Sequence, residues 1–168
     1  AASDVYKRQV MGVEIERKWL LDKPMSGNIK CIGQMSTWYL SVEPEVRVRR
    51  LHDTVSGSVC KFAFKTCGTL SRIEIEKYIT AEELECCLES LPENLRNNPI
   101  VDNYIMFEVG GVEAACIEVD GQYTIVEVEF DNVEAANAYT PPFEGTEVTD
   151  NPDYYKETIG RRQDWRSK

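Results

Sequence analysis

Glu14-Ile15-Glu16-Arg17-Lys18 is the stretch that decides the fold. Glu14, Glu16 and Lys18 recur at a period of two, so on a strand they share one face, with Val13, Ile15 and Trp19 on the other. On a helix, residues two apart sit roughly 200° apart around the axis and the three would scatter. Two carboxylates about 7 Å apart along a strand, followed by an ammonium, suit a divalent cation beside a phosphate oxygen. A solvated strand face has the same pattern, so recurrence along the chain has to decide.

The pattern does recur. Val46-Arg47-Val48-Arg49 sets two arginines against two valines, and Lys61-Phe62-Ala63-Phe64-Lys65 sets two lysines against two phenylalanines. Arg72, Glu74 and Glu76 alternate with Ile73, Ile75 and Lys77. Ile117-Glu118-Val119-Asp120 and Ile125-Val126-Glu127-Val128-Glu129-Phe130 repeat the arrangement with acids. Residues 37–42 and a stretch within 100–109 read as further strands, about eight in all, joined by short turns such as Asp53 to Gly57 and Asp120-Gly121. Helices are fewer. Thr80 and Glu83 form a capping box for a helix to about Leu91, with Leu84, Leu88 and Leu91 as its stripe. Asp131 and Glu134 make a similar box for a helix through about Tyr139, stopped by Pro141-Pro142. Asn151-Pro152 reads as an N-cap and N1 pair, with Gly160 as the stop.

The 168 residues suffice for one domain with a real core. Residues 1–10 read as a non-native N-terminal scar before Met11, leaving 11–168 as a single domain. No apolar run approaches the roughly 20 residues of a bilayer span, and no secretory signal is visible, so a cytoplasmic protein without a membrane partner is expected. The six cysteines show no CxxC spacing and no pairing with the single histidine, His52, which argues against zinc. The net charge of −10 argues against nucleic acid. That charge is uneven: residues 97–155 hold thirteen acids and no Lys or Arg.

Ordinary polar strand faces mix Ser, Thr, Gln and Lys, whereas these are nearly pure charge. Eight strands can close into a barrel whose lumen admits side chains or a small ligand. The expectation is an α+β, mainly β fold: an eight-stranded antiparallel closed barrel with a charged lumen, its apolar faces turned outward under a few helices. Like charges 4 Å apart repel by about 4 kcal/mol at an effective dielectric of 20. Divalent cations relieve that on the acidic side and a polyphosphate on the basic side. Oxygen-only ligands favour Mg²⁺ or Mn²⁺ over zinc.

At this point the residues resemble a known family. Glu14-x-Glu16-x-Lys18 resembles the ExExK signature of the triphosphate tunnel metalloenzymes, or CYTH domains. The resemblance continues in order through Trp38-Tyr39-Leu40, Arg47-x-Arg49, Lys65, Arg72-x-Glu74-x-Glu76, Glu118-x-Asp120 and Glu127-x-Glu129 to Glu147-Val148-Thr149. It implies a tunnel that hydrolyses or cyclises triphosphates with Mg²⁺ or Mn²⁺. By the family pattern Glu14, Glu16 and Glu127 hold one metal; Glu76, Asp120 and Glu129, with Glu118 on the same strand as Asp120, serve a second metal or the attacking water. Lys18, Arg47, Arg49, Lys65, Arg72 and Lys156 bind phosphate, and Glu76, Glu129 and Lys65 carry the chemistry. Two departures stand out. The sixth-strand Lys-x-Arg pair of the family is replaced by Ile100-Val101-Asp102-Asn103-Tyr104, and Asp120-Gly121 also reads as a two-residue turn that takes Asp120 off the inward face.

The function expected is therefore a divalent-metal-dependent hydrolase of inorganic or nucleoside triphosphate, a small-molecule enzyme acting as monomer or homodimer. A non-catalytic polyphosphate- or nucleotide-binding domain and a class IV-type adenylate cyclase are the alternatives, with thiamine triphosphate a further substrate choice. On this reading the tunnel reads phosphates and the organic group lies outside it.

Overall fold

The computed structural model describes residues 9–119 and 121–155, with side chains from Gly12 onward. Nine strands form one antiparallel sheet: β1 Gln9–Leu21, β2 Asn28–Val42, β3 Glu45–Asp53, β4 Gly57–Lys65, β5 Ser71–Ile79, β6 Ile100–Val109, β7 Val112–Val119, β8 Tyr123–Glu129 and β9 Gly145–Glu147. The order is β5-β4-β3-β2-β6-β7-β8-β1-β9, and a further β5–β1 pairing closes the first eight into a barrel. The expected eight-stranded barrel is thus present, with one short strand added.

β1 makes the closure possible because it is long enough to serve three neighbours. Gln9 to Ile15 pair with β5, Glu16 to Leu20 with β8, and Trp19 to Leu21 with β9. The strand begins at Gln9, inside the 1–10 stretch set aside from the sequence, with Gln9 opposite Lys77 and Val10 opposite Glu76.

The alternation predicts apolar faces turned outward under helices, and on β2, β3 and β4 helical cover is present, whereas Val13 and Ile73 stay exposed. Helix α1 (Ala81–Glu89) lays Leu84 and Leu88 on Trp38, Val48 and Cys60, and Leu91 completes the cluster. Its capping box is formed as read: Thr80 accepts from the Glu83 backbone N–H, and the Glu83 carboxylate accepts from the Thr80 N–H. A single turn, α2 (Glu93–Arg96), follows, and Trp38 Nε1 donates to its Arg96 carbonyl at 2.9 Å. Helix α3 (Val133–Ala138) starts one residue later than the Asp131 box implies, because Asn132 is the side chain that caps it by accepting from Ala135 N–H. Arg17 ties α3 to the wall. Its guanidinium donates to the carbonyls of Ala136 and Tyr139 at 2.6 and 2.9 Å and forks onto Glu147 at 2.8 and 2.7 Å. Carbonyls at a helix C-terminus lack intrahelical donors, and a cation there satisfies them. A 3₁₀ turn, Pro152–Tyr154, is capped by Asn151 as expected, whereas Gly160 lies outside the described residues.

The interior divides in two. Charged side chains of β1, β3, β4, β5 and β8 occupy one side. A buried apolar cluster including Met35, Tyr39, Ile100, Tyr104, Ile117, Val119 and Ile125 occupies the side walled by β2, β6 and β7.

Candidate functional site

The barrel encloses a cavity of about 430 Å³. Glu14, Glu16 and Lys18 of β1, Arg47 and Arg49 of β3, Lys65 of β4, Arg72 and Glu76 of β5, and Glu127 and Glu129 of β8 all line it. Of the eleven described residues named from sequence for metal, phosphate or chemistry, ten line this cavity and Glu118 alone is turned away.

Register brings the charges together. Glu14 stands opposite Arg72, Glu16 opposite Glu129 and Lys18 opposite Glu127. Glu14 is buried and accepts from Lys65 Nζ at 2.5 Å and from Arg72 Nε at 2.6 Å. Burial pushes its carboxyl up, but the two cations outweigh it and hold it below the usual range. Lys18 lies 2.6 Å from Glu16 and 2.9 Å from Glu127; burial works against its charge, and the two carboxylates raise its pKa despite that. Lys61 pairs with Glu76 at 2.7 Å, and Lys65 also meets Glu74 at 2.9 Å.

Glu16 and Glu129 are like charges directly across an antiparallel pair, an arrangement that destabilises a sheet. One ligand oxygen each from Glu14, Glu16 and Glu129 can be chosen so that all lie within 4.8 Å of one another. Burial and the neighbouring Glu127 raise the pKa of Glu16. Glu129 is exposed at the cavity, yet enclosure by the wall and the Glu16 and Glu14 carboxylates push it up to about 7. An all-carboxylate group of this kind matches a hard divalent cation. The grouping differs from the one implied by resemblance: Glu129 stands with Glu14 and Glu16, while Glu127 is engaged by Lys18 and Glu76 by Lys61.

Glu118 is a correction. It is exposed on the outer face of β7, opposite Asn103 and Thr124, because Ala115 and Ile117 take the inward positions. Alternation in Ile117-Glu118-Val119 separates two faces without saying which is inside, and on this strand the apolar one is. Asp120 and Lys156 lie outside the described residues.

Glu45 was missed. It is 3% exposed, 2.5 Å from Arg47 and 3.0 Å from Arg72. Burial opposes its charge, but Arg47 and then Arg72 prevail and bring it down to about 2. The signal was available, since Glu45, Arg47 and Arg49 share parity on one strand. Arg49 differs from the other cavity cations: among the described residues no carboxylate lies within ion-pair distance, and its Nε donates to Thr37 Oγ1 at 3.1 Å. Burial, then Arg47, lowers its pKa.

No family model and no curated protein matches the sequence. Solved structures do match the fold. The inorganic triphosphatase NE1496 superposes with a TM-score of 0.56 at 23% identity, over 87% of this chain and 93% of that one. The PH1819 protein from Pyrococcus Horikoshii OT3 gives 0.50 at 16% identity, over 74% of this chain and 82% of that one. The chain has the CYTH tunnel fold. Within that tunnel the acids on β1 and β8 and the bases on β3, β4 and β5 share one cavity, and no base lines it from β6 or β7. Among the described residues no helix is long and apolar enough to cross a membrane.

Proposed function

We propose that this tunnel is a divalent-metal-dependent hydrolase of triphosphates. The observation that carries the reading is the Glu14, Glu16 and Glu129 group, which sets Glu16 and Glu129 directly opposite each other beside a bank of cations in one cavity. A fold that holds three carboxylates so close gains from a cation between them. The donor set is all oxygen and fits Mg²⁺ or Mn²⁺. A bound cation would supply charge neutralisation at the phosphates and acidify a water in its shell.

The chain's own residues do the rest. Among the described residues Arg49 has no carboxylate to give up, and it is the first anchor for a phosphate oxygen. Arg47, Lys65 and Arg72 are already paired with Glu45 and Glu14, so a phosphate joins or exchanges into those pairs. Fixed cations of this kind stabilise charge that spreads over the transferred phosphoryl oxygens. Burial and the Glu16 and Glu14 carboxylates hold Glu129 near 7 in the metal-free tunnel; a cation among the three would remove that repulsion and engage Glu129 as a ligand, the attacking water's proton passing to solvent. Water adds to the terminal phosphorus, the anhydride P–O bond breaks, and phosphate leaves. Glu76 and Lys18 hold their neighbours in place through Lys61 and Glu16.

A binding domain without turnover is the second reading, and the missing bases on β6 and β7 favour it. The test is phosphate release from inorganic triphosphate, adenosine triphosphate and thiamine triphosphate with each metal. Metal-dependent release that disappears in Glu14→Ala and Glu16→Ala supports hydrolysis. Unchanged turnover in those variants sinks it, and calorimetric binding without release selects the second reading.

A further inference from the structure

Glu45 stands apart from the other acids of the tunnel. It shares the inward parity of β3 with Arg47 and Arg49 and is set opposite Lys65 of β4. Arg47, Arg49, Lys65 and Arg72 line the cavity, whereas Glu45 is buried beside them and off its lining. Its Oε1 lies 2.5 Å from Arg47 Nη1, and its Oε2 accepts from Arg72 Nη1 at 3.0 Å. The first contact is an ion pair without a hydrogen bond: Glu45 Oε1 and Arg47 Nε are both buried with no hydrogen-bond partner among the described residues. Charge rather than ideal geometry holds Glu45 against Arg47.

Three carboxylates touch the four cations of this wall. Glu14 meets Lys65 and Arg72, Glu74 meets Lys65, and Glu45 meets Arg47 and Arg72. Glu14 belongs to the acidic group that suits a metal, and Glu74 lines the cavity. Glu45 does neither, so what it acts on is the two arginines. A phosphate at this wall meets guanidiniums whose charge is already offset by a fixed anion, and in an enclosed site that anion's repulsion is felt strongly. Without it, two arginines that are 6% and 8% exposed would lack a shared counter-charge, which a bound phosphate would then supply.

We propose that Glu45 is a positioning residue that holds Arg47 and Arg72 in place and weakens the grip of the basic wall on phosphate, so that phosphate leaves after each turnover. This rests on the hydrolase reading above. It gives removal of the charge a definite sign. Glu45→Gln raises the free energy of the empty tunnel more than that of the phosphate-bound one, and so tightens phosphate binding. A side chain that only kept the arginines in position would give the opposite, since loosened arginines bind more weakly.

Calorimetric titration of inorganic phosphate with Mg²⁺ present compares the full chain with Glu45→Gln, Glu45→Asp and Arg49→Gln. Glu45→Gln is expected to bind at least tenfold more tightly, and Glu45→Asp, which keeps the charge with a shorter reach, to tighten by less. Arg49→Gln is expected to bind at least tenfold more weakly, which locates the phosphate on this wall. With inorganic triphosphate as substrate, kcat and KM should both fall in Glu45→Gln, as slower phosphate release requires. If Glu45→Gln does not fold, Glu45→Asp carries the test, and binding no tighter than in the parent chain overturns the proposal. Equal or weaker binding in Glu45→Gln overturns it while leaving the hydrolase reading intact, as does tighter binding with kcat unchanged. Phosphate binding that Arg49→Gln does not weaken, or that is absent from all four proteins, also overturns it. No release from inorganic triphosphate, adenosine triphosphate or thiamine triphosphate overturns the hydrolase reading and this inference together.

Discussion

The two walls of the tunnel obey the same alternation and end up opposite in character. On β1, β3, β4, β5 and β8 the charged parity points inward, and the outward apolar parity is covered in part, with Trp38, Val48 and Trp19 buried while Val13 and Ile73 stay exposed. On β7 Ala115 and Ile117 point inward and Glu118 meets solvent. The difference shows what decides facing: a strand turns inward whichever face its cross-barrel neighbours can satisfy. Glu14 finds Lys65 and Arg72, and Glu45 finds Arg47 and Arg72, so burial of these charges is matched by partners.

If that account holds, the largest effect comes from breaking the charged wall. Glu14→Ala removes the carboxylate shared by buried Lys65 and Arg72 and is expected to destabilise the fold by about 3 kcal/mol or more, the range for a broken buried pair. It is also expected to reduce phosphate release at least 100-fold. Denaturant unfolding and the release assay check both. Glu45→Gln removes the counter-charge of Arg47 and Arg72 without touching the proposed metal group. It should therefore destabilise by a similar but smaller amount, while an Mn²⁺-induced rise in Tm survives; loss of that rise would contradict the separation of the two sets.

Metal addition comes next. Free Mn²⁺ at 100 times its Kd is expected to stabilise by about 2.7 kcal/mol. Glu129→Gln should remove most of that increment, measured as Tm against metal concentration. The same residue sets a pH effect in metal-free protein. Its folded pKa of about 7 exceeds the ordinary 4.5, so the fold retains its proton more tightly than the unfolded chain. The stabilisation is present in full below about 4.5 and is lost as pH rises through about 7. Glu129→Gln should flatten this part of the stability profile, and a slope unchanged by the substitution would falsify the assignment. The smallest effect belongs to the other wall's outer face. Glu118→Gln is expected to change stability by no more than about 0.5 kcal/mol and to leave metal-induced stabilisation intact, since Glu118 is solvent-exposed and off the cavity.

Much of this was legible in the chain. Period-two charge on Glu14, Glu16 and Lys18, on Arg47 and Arg49, and on Glu127 and Glu129 was enough for strands, a barrel and a shared lumen. The Thr80–Glu83 box and the Leu84–Leu88–Leu91 stripe were enough for the covering helix. Glu45 is readable from its parity with Arg47 and Arg49 at the start of the same strand. What alternation determines is a pair of faces for each strand, since successive side chains point opposite ways whatever surrounds them. Which face turns inward, and which carboxylates meet, depends on closure and register between segments over a hundred residues apart, such as Glu16 with Glu129. That is why the charged stave at Glu14–Lys18 could be read from sequence, while the register that sets Glu16 opposite Glu129 and turns Ala115 and Ile117 inward was decided only by the closed barrel.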